Sequence, residues 1–106
     1  MATLEDFRKL NLRVGRVVDV QNHPNADKLY VLSVDIGETQ KQIVAGIRLH
    51  YTPEALKGKI CILIDNLEPA TIRGVESHGM LLAAKDAQTL SLLTLEKEVV
   101  LGSPVS

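Results

Sequence analysis

The chain has 106 residues, which is enough for one domain with a single core but too few for an enzyme with separate cofactor and substrate lobes. Its formal net charge of -1 argues mildly against a nucleic-acid ligand, although a local patch of charge matters more than the sum. Aromatic residues make up only 3% of the chain, so there are few platforms on which bases could stack.

The lack of a recognisable targeting signal and the presence of a single cysteine indicate an intracellular protein. The N-terminal residues MATLEDFRKL are charged and lack the apolar stretch of a secretory leader. No apolar run approaches the roughly 20 residues that a membrane span needs. The single cysteine, Cys61, cannot form an intramolecular disulfide, and its apolar surroundings predict a buried thiol. We therefore expect a cytoplasmic protein with no membrane partner.

The first part of the chain predicts a short helix followed by three antiparallel strands. Thr3, with Glu5 and Asp6 behind it, is typical of a helix N-terminus. Alternation of apolar and polar residues predicts the strands, with Gly15 at a bend or bulge. The predicted ranges are a helix over Leu4–Leu10, strands over Leu12–Gln21, Leu29–Ile36 and Lys41–Ala45, a loop over His23–Asp27 and a hairpin connection over Gly37–Gln40.

The second part predicts another short helix and several short strands. Thr52 is a suitable N-cap, Pro53 suits the first helical position, and Gly58 suits the end of the helix. The predicted ranges are a helix over Pro53–Lys57, strands over Lys59–Asp65, Gly79–Ala84, Leu90–Leu95 and Val99–Val105, a loop over Asn66–Ser77 and a turn over Asp86–Thr89.

This order of elements predicts an all-β domain over residues 1–106, a five-stranded OB-fold barrel with short helices and a C-terminal strand extension. An SH3-like barrel is the main competitor. The helix between the third and fourth strands favours the OB-fold. Closure of a barrel also explains a core of β-branched residues with little aromatic filling.

Catalytic and metal-binding patterns are missing from the sequence. The three histidines, His23, His50 and His78, are about 27 residues apart and have no cysteine or acid at ligand spacing. We expect them in loops or on the surface. No Ser-His-Asp order, phosphate loop or nucleophile elbow is present. The chain is therefore predicted not to be an enzyme and to need no metal or cofactor.

Two turn-rich segments, HPNADKLY and NLEPATIRGVESHGM, run directly into apolar strands and present short polar side chains. They can be read simply as turns that enter strands. The functional interpretation places Asn25 and Lys28 at the barrel mouth, where an amide and an ammonium suit RNA. Arg73 beside Gly74 could approach a phosphate or a base closely. Met80 could stack on a base, but a core position is favoured.

These segments, together with LNLRVGRV, VDIGE, IVAGI and YTPEALKGK, resemble the tRNA-binding domain family over nearly the whole chain. That family includes the C-terminal domain of many methionyl-tRNA synthetases, free-standing tRNA-binding proteins and the endothelial monocyte-activating polypeptide domain. The resemblance implies an OB-fold that binds tRNA through its structure. It also implies a homodimer that serves methionyl-tRNA synthetase in cis or in trans. An export-type protein-binding chaperone or adaptor of the same fold is the alternative.

The resemblance also implies which residues contact tRNA. The first choices are Asn66, Arg73, Ser77 and Met80, and the second choices are Lys28 and Asn25. Where family members often carry two lysines, this chain has Glu68 and Thr71, which predicts weaker attraction for phosphate. The terminal segments Leu4–Leu10 and Val99–Val105 are candidate dimer elements, because terminal apolar segments need cover.

Overall fold

The computed structural model describes residues Met1–Ser106, which form two short helices and nine strands. The helices are α1 (Leu4–Arg8) and α2 (Pro53–Leu56). The strands are β1 (Leu12–Asn22), β2 (Tyr30–Asp35), β3 (Gln40–Ala45), β4 (Ile60–Ile64), β5 (Ala70–Ile72), β6 (Val75–Ser77), β7 (Met80–Leu81), β8 (Ala83–Lys85) and β9 (Leu90–Leu92). Neither helix is long and apolar enough to cross a membrane.

Five antiparallel strands in the order β3-β2-β1-β4-β7 form the main sheet. The long strand β1 pairs with β4 through its first half and with β2 through its second half. The sheet curls until β3 meets the residues before β7, where the His78 amide donates to the Gln42 carbonyl at 2.8 Å. The predicted five-stranded OB-fold barrel is therefore confirmed, with α2 between β3 and β4.

The barrel interior is filled by aliphatic side chains that alternate along the strands. Val34, Ile43 and Leu63 are fully buried, and Leu56 of α2 is buried against them.

Helix α2 begins as predicted, because the Thr52 hydroxyl accepts from the Ala55 amide and a proline follows it. Cys61 is also fully buried, as expected, and burial raises the pKa of its thiol to about 12.

Gly15, expected at a bend or bulge, does not lie at the bulge of β1. That bulge lies between Val17 and Asp19, farther along the strand. Gly15 itself is buried, and a Cβ there would come within 2.6 Å of Val34 Cγ1 and 3.0 Å of Leu63 Cδ2. A glycine is needed at this point because two core side chains pack over the backbone.

Two predictions in the second part of the chain, one of a loop and one of a strand, need correction. The segment Asn66–Ser77, expected as a loop, contains the hairpin β5–β6. The predicted strand Gly79–Ala84 divides into β7, which pairs with β4, and β8, which pairs with β9. Because β7 and β8 belong to different sheets, the chain changes direction between them, and alternation alone does not show such a break.

The C-terminal extension lies along β1, but Val99–Val105 is not a continuous strand. A turn at Leu101–Gly102, with Gly102 at a φ of 86°, interrupts it. The extension is held by backbone hydrogen bonds from Val14 to Ser103 at 3.0 Å and from Val105 to Leu12 at 2.9 Å. The C-terminal segment is therefore fixed to β1, the strand that pairs with both β2 and β4.

A half-buried carboxylate at the end of β4 ties three strands together. Asp65 accepts from Arg13 of β1 at 3.1 Å and pairs with the Lys41 ammonium of β3. Burial by itself would raise the pKa of Asp65, but hydrogen bonds from Lys41 and Arg13 outweigh it and hold the pKa below its usual range. The guanidinium also pairs with Glu38 at 2.8 Å.

We predict that Asp65→Asn destabilises the fold by about 2 kcal/mol, because two cations lose their carboxylate in a partly desolvated site. The pKa of Asp65 in the folded chain lies below its ordinary value of 3.8, so the stabilisation by this carboxylate is complete above that value and is lost as pH falls through the folded pKa. Urea unfolding at pH 7 and at pH 3 measures both effects. Glu96→Gln, at an exposed residue, is the control; equal stability of the two variants at pH 7 would contradict the prediction.

Candidate functional site

The hairpin β5–β6 ends in a tight two-residue turn made by Arg73 and Gly74. Both residues have positive φ, 53° for the arginine and 89° for the glycine, which is the pattern of a type I′ turn. Asparagine or glycine usually fills the first of these positions because they tolerate the left-handed region. The structure therefore holds an arginine in a costly backbone conformation at the tip of the hairpin.

His23 docks this hairpin onto the loop between β1 and β2. Its Nε2 lies 2.9 Å from the Ile72 carbonyl oxygen, and its Nδ1 accepts from the Asn25 amide at 2.9 Å. These partners assign the Nε2–H tautomer, which satisfies both ring nitrogens. His23 lies in a loop, one of the two places expected for the histidines, but its side chain is buried there and only 3% exposed. No three histidine, cysteine or acidic side chains are grouped so as to hold a metal ion.

A polar recess of about 460 Å³ opens where the hairpin tip meets the β1–β2 loop. Asn25 and Arg73 are joined by two reciprocal hydrogen bonds. The asparagine Nδ2 donates to the Arg73 carbonyl at 3.3 Å, and the guanidinium donates to the Asn25 carbonyl at 3.2 Å. The structure thus brings three of the six predicted contact residues together. The recess is lined by Asn25, Ala26, Asp27, Lys28, Leu29 and Arg73.

The charge around the polar recess is positive. Lys28 and Arg73 are exposed, and Arg48 donates to the Ala26 carbonyl at 3.3 Å on its inner side. None of these three cations pairs with a carboxylate. Asp27 is the one acid in the lining. A chain with a net charge of -1 therefore carries a local excess of unpaired positive charge here.

Ser77 is the last residue of β6 and helps to close the barrel. Its hydroxyl accepts from the Val44 amide of β3 at 3.0 Å and donates to the Gly79 carbonyl at 3.1 Å. The residue is 3% exposed. The hydroxyl can accept one more hydrogen bond, so a tRNA contact at Ser77 stays a prediction.

Asn66 lies apart from the recess, at the junction of α1 and β1. Its Oδ1 accepts from the Asn11 amide at 2.7 Å, and its Nδ2 donates to the Lys9 carbonyl at 2.7 Å. Both ends of the amide therefore hold the backbone of that junction. The predicted contact of Asn66 with tRNA also stays a prediction.

An apolar groove of about 410 Å³ runs along the other side of the hairpin. Met80 is 54% exposed and Leu67 is 38% exposed at this groove. The favoured interpretation of Met80 as a core residue is therefore wrong, because β7 turns Leu81 inward and Met80 outward. The groove is lined by Val44, Ala45, Gly46, Ile47, Leu67, Glu68, Ala70, Ile72, Ser77, Gly79, Met80, Leu81, Ala83, Leu90 and Leu92.

Sequence reasoning missed the hairpin, although a signal for it exists. An X-Gly pair between apolar residues, as in Ile72–Val75, is a recognised hairpin pattern. Arg48 belongs to no motif and joins the recess only because β3 ends beside the β1–β2 loop. The apolar groove is likewise a product of packing between four segments distant in sequence.

With this geometry established, comparison with known proteins decides the family. A family model described as "Putative tRNA binding domain" matches residues 12–104. The chain belongs to the tRNA-binding domain family. This confirms the resemblance that the sequence motifs indicated.

Similar proteins include a methionine–tRNA ligase and two solved structures of nearly the same length as this chain. The methionine–tRNA ligase of Pyrococcus horikoshii is 54% identical over 101 residues, which are 95% of this chain but 14% of that enzyme. The crystal structure of a MetRS-related protein from the same organism has a TM-score of 0.92 at 34% identity and covers 100% of this chain and 98% of that one. The chaperone CsaA from Bacillus anthracis has a TM-score of 0.91 at 32% identity and covers 100% and 99%.

We predict that Arg73→Asn raises the free energy of unfolding by about 0.5 kcal/mol, because asparagine suits the first position of a type I′ turn. The gain is smaller than the strain because the bond to the Asn25 carbonyl is lost. Thermal and urea unfolding measure it. Arg73→Ala is the matched control, since it loses the same bond but lacks the short polar side chain that lets asparagine adopt the left-handed region. The turn argument fails if Arg73→Asn is no more stable than Arg73→Ala.

Proposed function

We propose that the chain is a non-catalytic tRNA-binding module that acts in the cytoplasm as a homodimer, in cis or in trans with methionyl-tRNA synthetase. The observation that carries the proposal is the set of three unpaired cations around the polar recess, Lys28, Arg48 and Arg73. Family membership and similarity to methionine–tRNA ligases support it.

The position of the polar recess suits an RNA backbone. It lies between the β1–β2 loop and the segment that joins β4 to β7, which are the loops that OB-folds use for oligonucleotides. Phosphate groups gain from cations that have no carboxylate partner, because binding then breaks no ion pair. Contacts of this kind fix the orientation of an RNA without reading its sequence.

The role proposed for the module is to raise the local concentration of tRNA for a synthetase. In the similar ligase the matching segment is 14% of the enzyme, so most of that chain lies outside the part that this barrel resembles. A binding module linked to a catalytic partner makes the second contact effectively intramolecular, which raises avidity without any new chemistry. The same effect is available in trans if the module binds the synthetase.

We predict that Lys28→Ala and Arg73→Ala each weaken binding of total tRNA and lower the slope of log K against log salt by about 1, because each removes one phosphate contact. Electrophoretic mobility shifts between low and moderate salt measure both quantities. Arg73→Ala removes a single exposed guanidinium and is expected to leave the melting temperature nearly unchanged.

The matched control is Lys97→Ala, which removes an exposed cation that lines neither cavity. It changes the net charge by the same amount as the test variants. If all three variants bind tRNA equally, the polar recess is not the phosphate site. If the wild-type chain gives no shift at low salt, tRNA binding itself is ruled out.

The proposed dimer uses the ends of the chain. Helix α1 buries none of its residues and leaves Leu4 and Phe7 exposed. Val99 and Val100 in the C-terminal segment are exposed as well. Symmetric pairing would cover such apolar side chains from both protomers at once.

We predict that light scattering shows a dimer at micromolar concentration and that Phe7→Glu or Val100→Glu shifts it toward the monomer, because each places a charge in the covered surface. Leu49→Glu is the control, because Leu49 is an exposed apolar residue outside the two terminal segments. A strict monomer for the wild-type chain would rule out the homodimer and leave the tRNA site untouched.

A second candidate function, an export-type protein-binding chaperone or adaptor, is favoured by the apolar groove and by the similarity to CsaA. Such a groove could hold apolar side chains of an unfolded polypeptide. Retention of an unfolded polypeptide, with no tRNA shift at low salt, would favour this function over tRNA binding.

A further inference from the structure

The apolar groove and the polar recess share one wall, the hairpin β5–β6. Ile72 lines the groove, and Arg73, the next residue, lines the recess. The same change occurs on the facing segment beyond β3, where Ile47 lines the groove and Arg48 bonds to the loop of the recess. Apolar and cationic surfaces therefore meet twice, each time one residue apart, or about 3.8 Å along the backbone.

A nucleotide has a matching division between an apolar base and a charged phosphate. The groove volume of about 410 Å³ falls in the range of pockets that hold small ligands. A paired base within a duplex cannot enter a pocket, whereas the splayed bases of RNA loops, bulges and ends can. The groove has no aromatic lining, so the contact surface is the polarisable thioether of Met80 with Leu67 beside it.

Glu68 adds a hydrogen-bonding group to this surface. Glu68 is exposed and lines the groove, and its carboxylate makes no ion pair within the chain. An ionised carboxylate only accepts, so it complements the exocyclic amines of cytosine, adenine and guanine. Uracil has no such amine, and its one ring donor, N3–H, lies between two carbonyl oxygens that a carboxylate repels. The acid that would repel a phosphate thus lies where a base edge would meet it.

Resting on the proposed function, we infer that the apolar groove binds one unpaired amine-bearing base of the tRNA, with the neighbouring phosphate at Arg73 in the polar recess. Charge favours this occupant over an apolar peptide. The cations Lys28, Arg48 and Arg73 lie beside the groove without carboxylate partners, and a peptide side chain would leave them unused.

Binding of total tRNA and of hexacytidylate to groove variants tests the site. Met80→Ala and Leu67→Ala each lower both affinities about fivefold or more, since a base loses its packing surface. The slope of log K against log salt stays unchanged in these variants, because no phosphate contact is lost, whereas Arg73→Ala lowers it. Both side chains are exposed, so folding is preserved and is checked by melting. Leu49→Ala is the matched control.

Three results would contradict the base site, and they distinguish its failure from failure of the proposed tRNA-binding function. If the wild-type chain binds tRNA and Arg73→Ala weakens it, but the groove variants match Leu49→Ala, the base site is wrong and the tRNA-binding function stands. If the wild-type chain binds neither RNA at low salt, the proposed function fails with it. If an apolar pentapeptide binds and Met80→Ala abolishes that binding while leaving hexacytidylate binding intact, the groove is a peptide site and the base site is overturned.

Base preference tests Glu68 directly. Hexacytidylate and hexaadenylate are expected to bind several-fold more tightly than hexauridylate. Glu68→Gln is expected to narrow this difference in affinity, because a glutamine amide can donate a hydrogen bond to a uracil carbonyl. Glu76→Gln is the control, because Glu76 is an exposed glutamate of the hairpin β5–β6 that does not line the groove. Equal binding of the three oligonucleotides by the wild-type chain would overturn the assignment of an amine-bearing base.

Discussion

The site depends on the hydrogen bonds that close the barrel between β3 and the segment before β7. The Ser77 hydroxyl accepts from the Val44 amide, the His78 amide donates to the Gln42 carbonyl, and the Gln42 side chain donates to the Glu76 carbonyl at 2.8 Å. No regular strand pairing joins these segments, so a side-chain hydroxyl replaces part of the ladder. These hydrogen bonds hold the hairpin β5–β6 against the barrel. They therefore fix both the position of the hairpin wall of the apolar groove and the position of the hairpin tip.

A second set of bonds decides where the hairpin tip points. Buried His23 joins the Ile72 carbonyl to the Asn25 amide, and the Asn25 side chain continues the link to the Arg73 carbonyl. An arginine in the left-handed region costs about 1 kcal/mol or more, and it persists only where the surroundings over-determine the backbone. The bonds from His23 and Asn25 supply that constraint. A strained cation held at the edge of a recess is the kind of exception that functional sites carry.

The barrel could be predicted from the sequence because its signals are local. Alternating apolar residues mark the strands, and Thr52 with Pro53 marks the helix between the third and fourth. The site could be predicted only in part. Turn chemistry pointed to Asn25, Lys28 and Arg73, but their meeting depends on a buried histidine whose partner lies 49 residues away. The exposure of Met80 could not be inferred, since a shift of one residue in a short strand exchanges the inner and outer faces.

Glu68, where the family resemblance implies a lysine, lies at the apolar groove and not at the polar recess. On charge alone, an acid in place of a lysine weakens the general attraction for phosphate. Glu68 lines the apolar groove, however, whereas Lys28 and Arg73 line the polar recess on the other side of the hairpin. The exchange therefore leaves the recess cations intact and changes the character of the groove. If the groove holds a base, a chain that gives up non-specific electrostatic affinity at this position gains a group that can distinguish one base from another, because phosphate contacts position an RNA and contacts to base edges specify it.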